Sequence, residues 1–203
     1  MFTVNGQPIN PLCLDLSSRD FTPYLAQPED QDLNDILNLN ACQASLTKGR
    51  FTPYPKENDI CGLSPVKESK QCARYDYPWG MNDDFNMTLR RGFTEYAYIG
   101  KSKSGIDVVY IMRYTGGSGI FESIGLFKRI PMKRYRFSDS RKNKWSKEPF
   151  IGLLNVGEID ARDCNSENFV EINLNGNTLT GAKCKWLNNS RENTKEEFTI
   201  QLP

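Results

Sequence analysis

A strand-dominated α+β fold, mainly antiparallel sheet arranged as a sandwich or a partly open barrel, is what this 203-residue chain predicts. Three observations carry that expectation. Glu95 to Arg129 reads as three consecutive strands; Asn175-Gly176 between two strand-like runs marks a hairpin; and only one stretch, Pro28 to Leu37, has the spacing of a short helix. The chain is expected to form a single domain, residues 1–203, with a loop-rich, disulfide-stapled part over 1–80 and an antiparallel sheet part over 81–203.

In order along the chain, residues 1–80 hold Cys13, Cys42, Cys61 and Cys72 among scattered prolines. The expected helix starts at Pro28, carries acids in its first turn and sets Leu33, Ile36 and Leu37 on one face. Phe21-Thr-Pro-Tyr24 recurs as Phe51-Thr-Pro-Tyr54, an echo too short to establish a repeat. Strands begin with Leu89–Tyr98. The polar turn Lys101–Gly105 then leads into Ile106–Tyr114, which is apolar on both faces and suits a strand covered on both sides. A glycine-rich corner, Thr115–Gly119, precedes Ile120–Phe127, and apolar character returns at Phe150–Ile159. The hairpin pairs Phe169–Leu174 with Thr178–Leu187. A type I′ turn at Asn175-Gly176, where both central residues need positive φ, sets Ile172 across from Leu179. Phe198–Leu202 is expected as a last edge strand.

Composition bears on compartment. Mean hydropathy is −0.60 and no apolar run approaches the ~18–20 residues of a membrane-spanning helix. Met1-Phe-Thr-Val-Asn-Gly6 has neither a basic n-region nor an apolar h-region, so an exported form would be the mature chain. The six cysteines, at 13, 42, 61, 72, 164 and 184, form no C-x-x-C, and there is no histidine to complete a mixed zinc site. An even set at wide spacing predicts three disulfides and a periplasmic or secreted location; near-neighbour pairing gives Cys13–Cys42, Cys61–Cys72 and Cys164–Cys184.

Within the strand unit, a tyrosine-rich strand, a polar turn, a hydrophobic strand and Gly116-Gly-Ser-Gly-Ile-Phe121 lead into a strand ending in basic residues. Together with Gly157-Glu-Ile-Asp-Ala-Arg162 and the hairpin after it, this resembles a loose group of uncharacterised exported bacterial proteins. The likeness implies compartment and fold, and no activity. An acidic Asp-Gly turn common in that group is replaced here by Gly100-Lys-Ser-Lys-Ser-Gly105, which removes a calcium loop from what the resemblance implies.

Catalytic and cofactor motifs fail on spacing. Without histidine, Ser-His-Asp and Cys-His arrangements are excluded. The corner lacks G-x-x-x-x-G-K-[ST] and a following helix, so a bent connection between strands is favoured over a phosphate loop, and no cofactor is expected. Ser45-Leu-Thr-Lys48, Ser64-Pro-Val-Lys67 and Lys103-Ser-Gly105 imitate penicillin-binding motifs without the intervening S-x-N. Asp30-Gln-Asp-Leu-Asn34 imitates a calcium loop but has Asp35 and Ala41 where glycine and glutamate are needed, so no metal is expected. Glu158, Asp160 and Asp163 form the one carboxylate cluster that would permit acid–base work, against the alternative of a solvated sheet face. Asn86-Met-Thr88 and Asn188-Asn-Ser190 are glycosylation sequons only in a eukaryotic source.

The compositional anomaly is Lys128 to Glu148. Nine basic residues stand there against Asp139 and Glu148, a net +7 within a chain of +1, which leaves −6 for everything else. Lys133, Arg134, Tyr135, Arg136, Arg141, Lys142, Lys144 and Trp145 are the candidate partner-binding residues, since basic and aromatic side chains interleave as at recognition surfaces. The competing reading is an ordinary hairpin, Arg134–Phe137 with Lys144–Lys147, with its charges in water. Three function classes follow: a non-enzymatic exported binding protein such as an inhibitor or immunity protein, a polyanion binder, and a carboxylate hydrolase. The near-neutral total argues against nucleic acid and for a protein partner with an acidic patch.

Overall fold

The computed structural model describes residues 2–18, 36–46, 51–54, 71–76, 92–114, 120–139, 144–161, 172–186 and 193–203. A small hairpin (β1, Thr3–Val4; β2, Gln7–Pro8) leads into helix α1 (Pro11–Ser18), strand β3 (Ile36–Asn38), helix α2 (Leu39–Leu46), β4 (Phe51–Tyr54) and β5 (Cys72–Asp76). The predicted strand unit follows as β6 (Phe93–Lys101), β7 (Ile106–Tyr114) and β8 (Ile120–Asp139), with β9 (Lys144–Asp160) after it. The chain closes on β10 (Asn173–Asn175), β11 (Thr178–Trp186) and β12 (Asn193–Gln201).

Seven strands form one antiparallel half-barrel sheet in the order β3-β9-β8-β7-β6-β5-β4. β7 is its middle strand and is covered on both sides, as its two apolar faces require. On one side Val109 and Ile111 join Tyr96, Phe127 and Leu153 beneath Leu14 of α1, Leu39 of α2 and Phe2. On the other side Val108, Tyr110 and Ile124 meet Ile172, Leu179 and Leu202 of a three-stranded sheet, β10-β11-β12. Pro53 lies in β4 at the outer edge, the position where a strand tolerates the loss of an N–H. Tyr114 pairs with Ile120, so residues 115–119 join two neighbouring antiparallel strands; β8, not a helix, follows Gly119, which removes the phosphate-loop geometry.

Two helices replace the single one expected. Each starts on an asparagine cap. The Asn10 side chain accepts from Leu12 N at 3.0 Å ahead of Pro11, and that of Asn38 accepts from Ala41 N at 3.0 Å. Ile36 and Leu37, expected on a helix face, instead pair as β3 with Leu154 and Leu153 of β9. Asn38 ends that strand and caps α2, so a tertiary pairing overrides the local helical spacing. Residues 19–35, including Pro28 and Leu33, lie outside the described residues. Cys13 of α1 and Cys42 of α2 form the expected disulfide, with Cα atoms 6.0 Å apart. Cys72 is also disulfide-bonded; its expected partner Cys61, like Cys164, lies outside the described residues, and of Cys184 only the backbone is described.

The C-terminal hairpin forms with a different turn. Asn175 pairs with Thr178 and Leu174 with Leu179, so the central residues are Gly176 and Asn177, and only Gly176 has positive φ (64°). That is the II′ arrangement, with glycine at the first central position. Contacts with the β6–β7 turn hold it there. Lys103 N donates to Gly176 O at 3.2 Å and Ser104 N to Asn177 Oδ1 at 3.1 Å. The register slips by two residues, so Ile172 and Leu179 still share the buried face. The Asn-Gly pair with positive φ at both residues is Asn5-Gly6, between β1 and β2, which the sequence reading passed over.

Gly125 of β8 faces the helix side without room for a side chain. A Cβ there would lie 2.8 Å from Phe127 Cζ and 2.9 Å from Ile111 Cδ1, both in the fully buried core. Gly125→Ala is expected to destabilise the protein by ~1–3 kcal/mol through overpacking, read as a lowered urea midpoint at unchanged m-value.

Candidate functional site: a basic two-stranded arm

β8 outruns the sheet. Its pairing with β7 ends at Ile106↔Lys128, whereas its pairing with β9 continues through Pro131↔Ile151 to Asp139↔Lys144. β3 flanks β9 only at Gly152–Leu154. From Pro131 to Asp139 and from Lys144 to Ile151, therefore, the two strands have no further strand neighbour among the described residues. At ~3.3 Å per residue this arm extends roughly 25 Å. Pro131 and Pro149, both exposed, sit on it because strands with open outer edges lose nothing by a missing N–H.

The hairpin pairing expected from the sequence is present, with Arg134↔Glu148, Tyr135↔Lys147, Arg136↔Ser146 and Phe137↔Trp145. Strand alternation places positions 133, 135, 137, 145 and 147 on one face: three aromatic residues between two lysines. Lys133 and Lys147 are exposed. Arg134, on the other face, donates to Glu148 Oε2 from Nε at 3.2 Å and from Nη2 at 3.1 Å. This partly exposed pair contributes little to stability but removes one charge from the free surface. Of Tyr135, Arg136, Lys144 and Trp145 only the backbone is described, and Arg141 and Lys142 lie outside the described residues.

Arg129, counted from the sequence in the basic segment, belongs instead to the root of the arm. Its Nε and Nη2 donate to the two oxygens of fully buried Asp107 at 2.7 and 2.9 Å, and its Nη1 donates to Thr3 O at 3.0 Å. Tyr98 Oη donates to Asp107 Oδ1 at 3.0 Å, and its ring stacks on Phe2 at 5.3 Å. Burial, reinforced by the charge of Asp107, raises the Tyr98 phenol above its ordinary pKa and keeps it a donor.

A second charged network lies at the other end of β7. Arg113 binds Asp15 of α1 through Nε and donates from Nη1 to Glu158 at 2.6 Å and to Ser123 Oγ at 3.1 Å. Thr94 Oγ1 completes it, donating to Asp15 at 2.8 Å. Burial opposes the charge on Arg113, and its two carboxylates outweigh burial, so the guanidinium is held charged above its ordinary range. Glu158 and Asp160 do share a face, pairing with Gly125 and Ser123, but Glu158 is committed to Arg113; Asp163 lies outside the described residues. Asp107 and Arg113, the two charges inside an otherwise apolar strand, were the sequence signal for both networks.

The remaining motifs settle as structure or fall outside it. Lys103-Ser104-Gly105 is the β6–β7 turn, with Ser104 Oγ 2.7 Å from Ser102 Oγ. Ser64, Lys67, Ser118 and Asp30–Asn34 lie outside the described residues. Among the described residues no group of three potential ligands is placed to hold a metal ion, and no helix is long and apolar enough to cross a membrane. Comparison of the chain with protein-family models, with curated proteins and with solved structures finds no match.

Two stability predictions follow from the charges. Arg113→Met leaves Asp15 buried without its cation and is expected to cost ~3–5 kcal/mol. The double variant Asp15→Asn/Arg113→Met is expected to cost clearly less than the sum of its singles in urea titrations. For Glu95, burial is the largest cause that raises its carboxyl above the ordinary 4.5, with Arg74 partly offsetting it and Asp76 adding to it. A raised folded-state pKa means the contribution is present below the unfolded value and is lost as pH rises through the folded one. Glu95→Gln is therefore expected to raise the melting temperature at pH 7 and to leave it unchanged near pH 4. A variant less stable than wild type at pH 7 contradicts this.

Proposed function

We propose that this chain is a non-enzymatic binding protein of an oxidising, periplasmic or extracellular compartment. In this reading it presents the arm to a protein partner with an acidic patch, as an inhibitor or immunity protein does toward a secreted toxin or an envelope enzyme. One observation carries the reading. The basic segment lies on a two-stranded extension that leaves the sheet, with Lys133 and Lys147 exposed on its aromatic-bearing face. An element with strand neighbours on neither side and charges of one sign serves encounter with another molecule better than it serves the core. The Cys13–Cys42 bond and bonded Cys72 support the compartment, and the resemblance to exported bacterial proteins agrees with it. The commitment of Glu158 to Arg113 weighs against the carboxylate hydrolase, and the acidic remainder of the chain weighs against a general polyanion binder.

The test is affinity capture from extracts of the source cell's envelope on immobilised wild-type protein and on Lys133→Glu/Lys147→Glu. A single protein retained by wild type, released by salt and lost by the reversed arm is the expected result. With that protein purified, the double reversal is expected to slow association about tenfold or more and to flatten its salt dependence, with the melting temperature unchanged. Equal retention by both forms overturns the reading. Steep, salt-dependent binding of heparin or DNA by wild type with no protein retained favours the polyanion reading instead.

A further inference from the structure

The arm has a complement at the opposite end of its own strand. On the face covered by the three-stranded sheet, the buried cluster stops at the row Cys72, Ala97, Tyr110 and Ile124. Beyond it the registers align two more rows. The first is Arg74, Glu95, Met112 and Glu122; the second is Asp76, Phe93, Tyr114 and Ile120. Three carboxylates stand there against one guanidinium, around two neighbouring aromatic rings whose centroids are 5.7 Å apart. The strip ends in Ile120, which is 53% exposed.

This strip already seats one cation of the kind the arm carries. The Arg74 guanidinium lies 3.9 Å from the centre of the Phe93 ring and is held by Asp76 at 3.0 Å and Glu95 at 3.5 Å. A positive group over a ring and between carboxylates is the arrangement that a basic, aromatic arm would repeat on the adjoining ring, Tyr114. The chain's own arm does not reach it. Ile120 is the first residue of β8, and Lys133 lies thirteen residues further along the same continuous strand, about 40 Å away at ~3.3 Å per residue.

We infer that the acidic aromatic strip around Phe93, Tyr114, Ile120 and Glu122 is the docking surface for the basic arm of a second copy of this chain. The inference rests on the reading of the arm as a contact element. Because the two surfaces differ and face opposite ends of the molecule, the contact is head-to-tail, and it propagates with concentration instead of stopping at a pair. The charges also fit. The +7 segment meets a remainder of −6 on another copy, an attraction that salt screens.

Average mass by sedimentation or light scattering tests this across a roughly hundredfold concentration range, at low and high salt. Wild type is expected to grow beyond two copies with concentration at low salt and to return to monomer at high salt. The arm reversal Lys133→Glu/Lys147→Glu and the strip reversal Ile120→Lys/Glu122→Lys, each checked for an unchanged melt, are expected to remain monomeric alone. Mixed in equal amounts they are expected to give a species of two chains and no larger, because one intact arm then meets one intact strip. A wild type that stays monomeric at low salt, assembly that stops at two copies, or either reversal assembling as wild type does overturns the inference. The reading of the arm fails separately, through a captured partner that ignores the arm reversal. A monomeric wild type whose partner binding still depends on Lys133 and Lys147 sinks the self-docking alone.

Discussion

The middle strand carries a buried charge at each end of its helix-facing row, and neither charge can stay there alone. Asp107 is fully buried and Arg113 nearly so. An isolated ion in such surroundings is too costly, so each must bring its partner with it. Asp107 draws in Arg129 and the hydroxyl of Tyr98, and through Arg129 the Thr3 carbonyl. Arg113 draws in Asp15, Glu158 and Ser123. The two sets tie the N-terminal hairpin and α1 to β6, β7, β8 and β9 at fixed positions. Apolar burial supplies the driving force for that layer, and it is non-directional. The ion networks fix where on the sheet the layer sits.

The same anchor explains how a two-stranded ribbon is held. A lone hairpin is at best marginal in water because it has no face to bury. Here the ribbon continues two strands of a seven-stranded sheet, and its last shared row is clamped. Arg129 is fixed by Asp107 on one face, while on the other Gly152 leaves room for Ile36 and Met132 to close over it. A Cβ at Gly152 would stand 2.6 Å from Ile36 Cγ2 and 2.7 Å from Met132 Sδ. Ile151 N is satisfied by Asn40 Oδ1 at 2.6 Å, so the helical layer also caps the arm where β3 stops. Past that row the strands carry each other alone, and residues there are released from core packing to take other side chains.

Much of this was legible in the chain. Ile106–Tyr114 is apolar at both parities, which only a strand covered on two sides permits, and it is the middle strand. The basic segment pairs as the expected hairpin because Arg134–Phe137 and Lys144–Lys147 alternate around a short connection. Less legible were features fixed by distant partners. Asp107 and Arg113 stand out in the sequence, yet Asp15 lies 98 residues from Arg113 and nothing local points to it. Ile36 and Leu37 have helical spacing, but Leu153 and Leu154 decide their conformation. Asn175-Gly176 was right about the hairpin and off by one position in the turn, since the β6–β7 turn bonds to Gly176 and Asn177. The caps at Asn10 and Asn38 were visible, and the Pro28 pattern drew attention from them.

Charge counted along a sequence overstates charge on a surface, and the arm shows by how much. Of nine basic residues between Lys128 and Glu148, Arg129 is spent inside on Asp107 and Arg134 on its cross-strand neighbour Glu148. What those two pairings leave is concentrated, because Lys133 and Lys147 flank the three aromatic positions of one ribbon face while the Arg134–Glu148 pair occupies the other. A ribbon with one neutralised face and one cationic, ring-bearing face is directional in a way that a net charge is not. It can distinguish an acidic surface that also offers rings or apolar contacts from a uniform polyanion, for which the sidedness would have no use.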